Sequence, residues 1–106
     1  MKIRLTWEQL VWLHEAHRTR IIEGADPYND LLNEHRIDFC LFFEKLIFKG
    51  NAANQVTFSR LQGYAFMALW VGEPLPPNNS AYYINELIAE FDQANKTVRL
   101  ANFIDQ

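Results

Sequence analysis

Apolar residues recur along most of this chain at intervals of three and four, and three of the four such runs close on a glycine. In the first, Trp7, Leu10, Val11, His14, Arg18, Ile21 and Ile22 follow helical spacing up to Gly24. The periodicity predicts an amphipathic helix. Thr6-Trp7-Glu8-Gln9 supplies a capping box at its start, with the hydroxyl on the third amide and Gln9 reaching back. Glu8 early and Arg18 and Arg20 late suit the helix dipole.

The second run starts at Asp26-Pro27, a cap followed by proline at the first helical position. Tyr28, Leu31, Leu32, His35, Phe39, Phe42, Phe43 and Leu46 form its stripe, and Gly50 ends it. Ile37, Leu41 and Phe48 add a second apolar side. This helix is therefore expected to be central, packed on two sides or against a second copy of the chain. Residues 51–56 read as a polar loop. A third helix runs from Thr57 or Ser59 to Val71, with Ser59-Arg60-Leu61-Gln62 as a second capping box. Phe58, Leu61, Ala65, Ala68 and Leu69 make one face, Tyr64, Met67 and Val71 another, with Phe66 and Trp70 beyond. So apolar a helix is expected to be largely buried. Gly63, Ala65 and Ala68 would let a neighbouring helix approach closely. Gly72 to Asn78 holds three prolines and reads as a stiff connector. A fourth helix, capped by Asn79 or Ser80, buries Ile84, Leu87, Ile88 and Phe91 and wets Asn85, Glu86, Glu90 and Gln93.

The two ends alternate instead. Ile3 and Leu5 stand among Lys2, Arg4 and Thr6, and Val98 and Leu100 among Thr97, Arg99 and Ala101. Two such segments could satisfy each other's backbone as a ribbon. A short last helix through Phe103 competes with that pairing. The expected fold is mostly α: one domain over residues 1–106, about four helices, and a short two-stranded β-ribbon formed by the termini.

A length of 106 residues suits one domain. With 49% hydrophobic and 22% charged residues the chain is globular rather than disordered. Aromatics reach 14%, a large apolar supply for a small core, so some are expected on a self-association or partner face. A net charge of −3 lacks the basic excess of a general nucleic-acid binder. Cys40 is the only cysteine, excludes an internal disulfide, and reads as a buried reduced thiol. The N-terminus leads straight into a capped helix and no apolar run approaches bilayer length, so the reading is a soluble, cytoplasmic protein with no membrane partner. Two glycosylation acceptor patterns, at Asn78 and Asn95, are idle without secretion.

Candidate chemistry is sparse. His14 and His17 lie three residues apart on one helix, and His35 sits in the second stripe beside Glu34. If the first two helices pack antiparallel, His14 and His35 could meet, and three imidazoles with a carboxylate would suit zinc. The metalloprotease spacing is absent, however. The competing reading keeps His14 and His35 as core-edge residues and leaves His17 exposed. No nucleophile elbow, phosphate loop or Cys–His signature points to an enzyme, and no cofactor is expected. A helix-turn-helix-like segment over 57–64 could present Arg60 and Gln62 to bases, but the rest of that helix has no basic face. Thr6 to Leu10 resembles the opening of a homeodomain's first helix; the basic, Trp-containing recognition helix of that family is absent, and the resemblance is rejected. Pro74-Leu75-Pro76-Pro77 has the spacing of a Pro-rich ligand, and a rigid loop explains it more simply.

The expected function is a small non-enzymatic protein-binding or regulatory module. Its partner would be another protein or a second copy of itself, reached through Trp12, Phe48, Tyr64, Trp70, Tyr82 and Tyr83. Inhibitors and accessory proteins of phages and mobile elements share this format. The alternatives are a metal-binding protein or enzyme using His14, His17 and His35, and a nucleic-acid regulator using Arg60 and Gln62.

Overall fold

Thr6 has two roles at the start of the chain: it ends strand β1 (Lys2–Thr6) and caps helix α1 (Trp7–Glu23). The capping box is complete, with Gln9 N donating to Thr6 Oγ1 at 3.2 Å and Thr6 N to Gln9 Oε1 at 2.8 Å. At the other end Gly24 takes φ 64°, ψ 46° and donates to the carbonyls of Arg20 and Ile21. The computed structural model describes residues 1–24, 29–50 and 53–104, with side chains for 1–24, 29–50 and 54–94. The expected Asp26-Pro27 start of the second helix, and Tyr28, lie outside the described residues. Helix α2 (Asp30–Phe48) is capped by Asn29, whose side chain accepts from Leu32 N.

Residues expected as a polar loop carry a strand, β2 (Ala53–Thr57). It pairs antiparallel with β1 in the register Ile3↔Val56 and Leu5↔Asn54. The ribbon therefore forms, but the C-terminal segment is not its second strand. Residues 97–101 continue helix α4 (Asn79–Ile104). Val56 and Leu5 are buried, whereas Gln55 and Thr57 are exposed. The alternation is one apolar position shorter than the C-terminal candidate, which is why β2 reads as loop.

Helix α3 (Arg60–Trp70) starts on Ser59, which completes the second capping box with Gln62. Replacing Ser59 by alanine is expected to cost about 1 kcal/mol of stability in a urea titration. Asn78, not Asn79 or Ser80, accepts the hydrogen bond from Ser80 N that caps α4. Ser80 instead turns inward, donating from Oγ to the Trp12 carbonyl at 3.0 Å and tying α4 to α1.

The core lies where the four helices meet among the described residues. Leu10 and Leu13 from α1, Phe39 and Phe43 from α2, Phe66, Leu69 and Trp70 from α3, and Ile84, Leu87 and Phe91 from α4 are all buried. Phe58 and the ribbon's Leu5 and Val56 close one end. Gly63 makes the close approach of α3 to α4: a Cβ there would sit 3.1 Å from Phe91 Cδ1. That ring is held between Phe58 and Phe66, at centroid distances of 5.2 and 5.5 Å, and has no room to give. Gly63→Ala is therefore expected to destabilise. Overpacking costs about 1–3 kcal/mol and exceeds a helix-propensity gain of about 1 kcal/mol. A raised melting temperature would show that the ring yields.

Candidate functional site

The three histidines do not converge. Among the described residues no three His, Cys, Asp or Glu side chains gather as a metal site would require. His14 Nε2 lies 3.5 Å from Glu44 Oε2, across from α2. His35 lines a groove between α2 and α3.

His17, expected on the surface, is fully buried. Its Nδ1 is 2.7 Å from the Leu13 carbonyl, which can only accept, so Nδ1 carries the proton. Nε2 then accepts from Trp70 Nε1 at 3.1 Å. Both ring nitrogens are engaged, and no lone pair is left for a metal. Burial holds the imidazole neutral, lowering its pKa to about 4, and the Arg36 charge adds to this against the opposing Leu13 hydrogen bond. Arg36 is itself buried and donates to Asn33 Oδ1 at 3.2 Å. Four rings surround His17: Phe39, Phe43 and Phe66 at 5.6–5.7 Å, and Trp70 edge-on at 5.3 Å. The buried face of α1 is Leu10, Leu13, Ala16 and His17, one step round from the expected stripe, so Trp7, Arg18 and Ile22 are exposed.

The segment 57–64 is strand, cap and helix rather than helix-turn-helix. Thr57 belongs to β2, and Gln62 is held in the capping box. Arg60 donates to Tyr64 Oη at 3.2 Å and lies over its ring. The proline connector packs on its own chain. With α1 it bounds a groove of about 270 Å³, Leu75 and Pro76 are half-buried, and Arg20 bonds Glu73 at 3.2 Å. Cys40 is half-buried rather than buried, and burial with the nearby Glu44 charge pushes its thiol pKa up. That environment favours an inert thiol.

What remains is apolar surface. On α2 the second apolar side is left open to solvent rather than packed, with Phe48 81% and Leu41 55% exposed and Ile37 beside them. Leu61 on α3 is 73% exposed, and Tyr64 follows it one turn on. Two neighbouring grooves join Leu41, Phe48 and Leu61, whereas Ile37 and Tyr64 line neither. One, of about 180 Å³, is lined by His35, Asp38, Phe42 and Leu61. The other, of about 550 Å³, is lined by Leu41, Lys45 and Phe48 and shares Asp38, Phe42 and Gln62 with the first. Helix α3 is thus only half buried, with Leu61, Tyr64, Ala68 and its C-cap residue Val71 exposed.

Of the six aromatic residues expected at a partner surface, Phe48 borders these grooves and Tyr64 is exposed on α3 without lining either. Trp12, on α1, is half-buried. Tyr82 is exposed on α4 against the half-buried Tyr83, and Glu86 raises its hydroxyl pKa by accepting its hydrogen bond. Trp70 is core: at 2% exposure it has no surface to offer a partner. Leu41 and Leu61 were legible only as parts of apolar stripes, and their exposure depends on which side each helix turns inward. No protein-family model, curated protein or solved structure matches the chain.

Proposed function

We propose that this chain is a non-enzymatic protein-binding module whose contact face is formed by α2 and α3. The observation that supports this reading best is the set of exposed large apolar side chains Leu41, Phe48 and Leu61 bordering two joined grooves, with Ile37 exposed one turn before Leu41. Exposed apolar residues scattered singly are ordinary, but a contiguous set rimmed by charge marks an interaction surface. Here the rim is Glu34, Asp38, Lys45 and Arg60, all exposed. Large side chains beside a pocket are the usual source of binding energy. The polar groups that might have carried chemistry have structural partners instead: His17 with Trp70, and Gln62 with Ser59.

Affinity capture from cell extract with wild type, Phe48→Ser, Leu61→Ser and Tyr82→Ala tests the face. The changes are at exposed positions, so fold stability should move by no more than about 0.5 kcal/mol. A protein held at high salt by wild type and Tyr82→Ala but lost by the two α2–α3 variants is the expected result. Equal capture by all four, or retention of nucleic acid alone that disappears as salt rises, would contradict it.

A further inference from the structure

Charge is divided along the outer side of α2. Its first half exposes Asp30, Glu34 and Asp38, and its end exposes Lys45 and Lys49. The apolar residues Ile37, Leu41 and Phe48 run between them. A closed dimer with two-fold symmetry requires one patch to complement itself. A helix acidic at one end and basic at the other does so only antiparallel. The parallel arrangement sets acid on acid and base on base.

We infer that the partner of this face is a second copy of the chain, with α2 laid antiparallel on α2 about a two-fold axis between Leu41 and Phe42. This rests on the reading of the α2–α3 face as a protein contact surface. The register follows from the sequence positions. With the axis at that point, Asp38 faces Lys45 of the second copy and Glu34 faces its Lys49, and symmetry makes each pair twice. Leu41 lies half a residue from the axis and faces Phe42 of the second copy. Phe48, the most exposed large apolar side chain among the described residues, falls opposite His35. That is the mouth of the groove of about 180 Å³ between His35, Asp38, Phe42 and Leu61, which offers room for one aromatic ring. Charge pairing and socket thus call for the same register independently. The remaining charges near the face are consistent with it: Glu44 turns toward His14, and Arg60 is held by Tyr64.

Sedimentation equilibrium over a range of concentrations up to the solubility limit tests the assignment, with circular dichroism to confirm that each variant is folded. Wild type should show a monomer–dimer equilibrium. Asp38→Lys and Lys45→Asp should each weaken it about tenfold, since each reverses two symmetry-related pairs. The double variant D38K/K45D should restore it, and Phe48→Ala should leave a monomer. A wild type that stays monomeric, or a dimer whose double variant is no tighter than the singles, overturns the proposal. If the chain is monomeric while capture of another protein still needs Phe48 and Leu61, the second copy is ruled out and the contact face stands. If capture is indifferent to both residues as well, the contact face falls with it.

Discussion

Trp70→Ala is expected to cost about 3–5 kcal/mol in a urea titration, within the range for emptying a large aromatic site. Domains of this size are stable by only about 5–15 kcal/mol, so the variant should lie near the limit of folding. Three losses combine. The indole is 2% exposed and fills core space edge-on to the His17 ring at 5.3 Å. Its Nε1 is the donor to His17 Nε2 at 3.1 Å, and removing it leaves a buried acceptor unsatisfied. Its ring also lies under the Arg20 guanidinium at 5.8 Å. Trp70→Phe separates these effects. It keeps most of the volume but abolishes the donor, and should cost about 1–3 kcal/mol. If alanine cost less than about 1 kcal/mol, Trp70 would not be the core residue described here.

The same hydrogen-bonded pair predicts how stability responds to acid. The His17 pKa is lowered from 6.5 to about 4 by burial in the folded chain. The unfolded state therefore takes up a proton first as pH falls. The stabilisation is present in full above pH 6.5, is lost progressively between 6.5 and 4, and loses nothing further below that. Its size is about 3 kcal/mol, from the shift at 1.36 kcal/mol per unit. Urea midpoints from pH 8 to pH 4 should fall mainly in this interval. In His17→Phe the part of the fall due to this imidazole should disappear. An undiminished slope in that variant would place the acid-sensitive group elsewhere.

Much of the fold could be read from local chemistry. Thr6 and Ser59 act as caps with Gln9 and Gln62 in their boxes, and Gly24 takes the positive φ its position at a helix end required. These signals are short-range, so the chain carries them whatever packs around it. Long-range pairing is different. Ile3 and Leu5 were legible as a strand, but their partner is chosen by where the second connection brings the chain. That connection delivers Val56, not Val98, to Ile3. Helix rotation was the second loss. Placing His14 and Arg18 in the stripe and leaving His17 outside turned α1 by one residue. The real stripe, Leu10, Leu13 and His17, becomes visible only when a histidine able to satisfy both nitrogens internally is allowed into the core.

The candidate site was half legible for the same reason. The sequence showed that α2 is apolar on two sides, with Ile37, Leu41 and Phe48 on the second. Which side a neighbour covers depends on tertiary packing. The structure covers the Phe39–Phe43 side and leaves the other bare. Phe48 was named for lying off the main stripe of α2, which holds because that stripe was placed correctly. Trp70 was named for the same reason and is core, because α3 buries the arc containing Phe66 and Trp70 rather than the one containing Leu61.

Position-specific photocrosslinking probes whether protein contact occurs on the α2–α3 face. A benzophenone side chain replaces Leu41, Leu61 or, on the opposite α4 surface, Tyr82, and the cells are irradiated. A discrete crosslinked protein species, either a second copy or another chain, is expected from positions 41 and 61 and none from 82. Crosslinking from position 82 with none from 41 or 61 would contradict contact on that face.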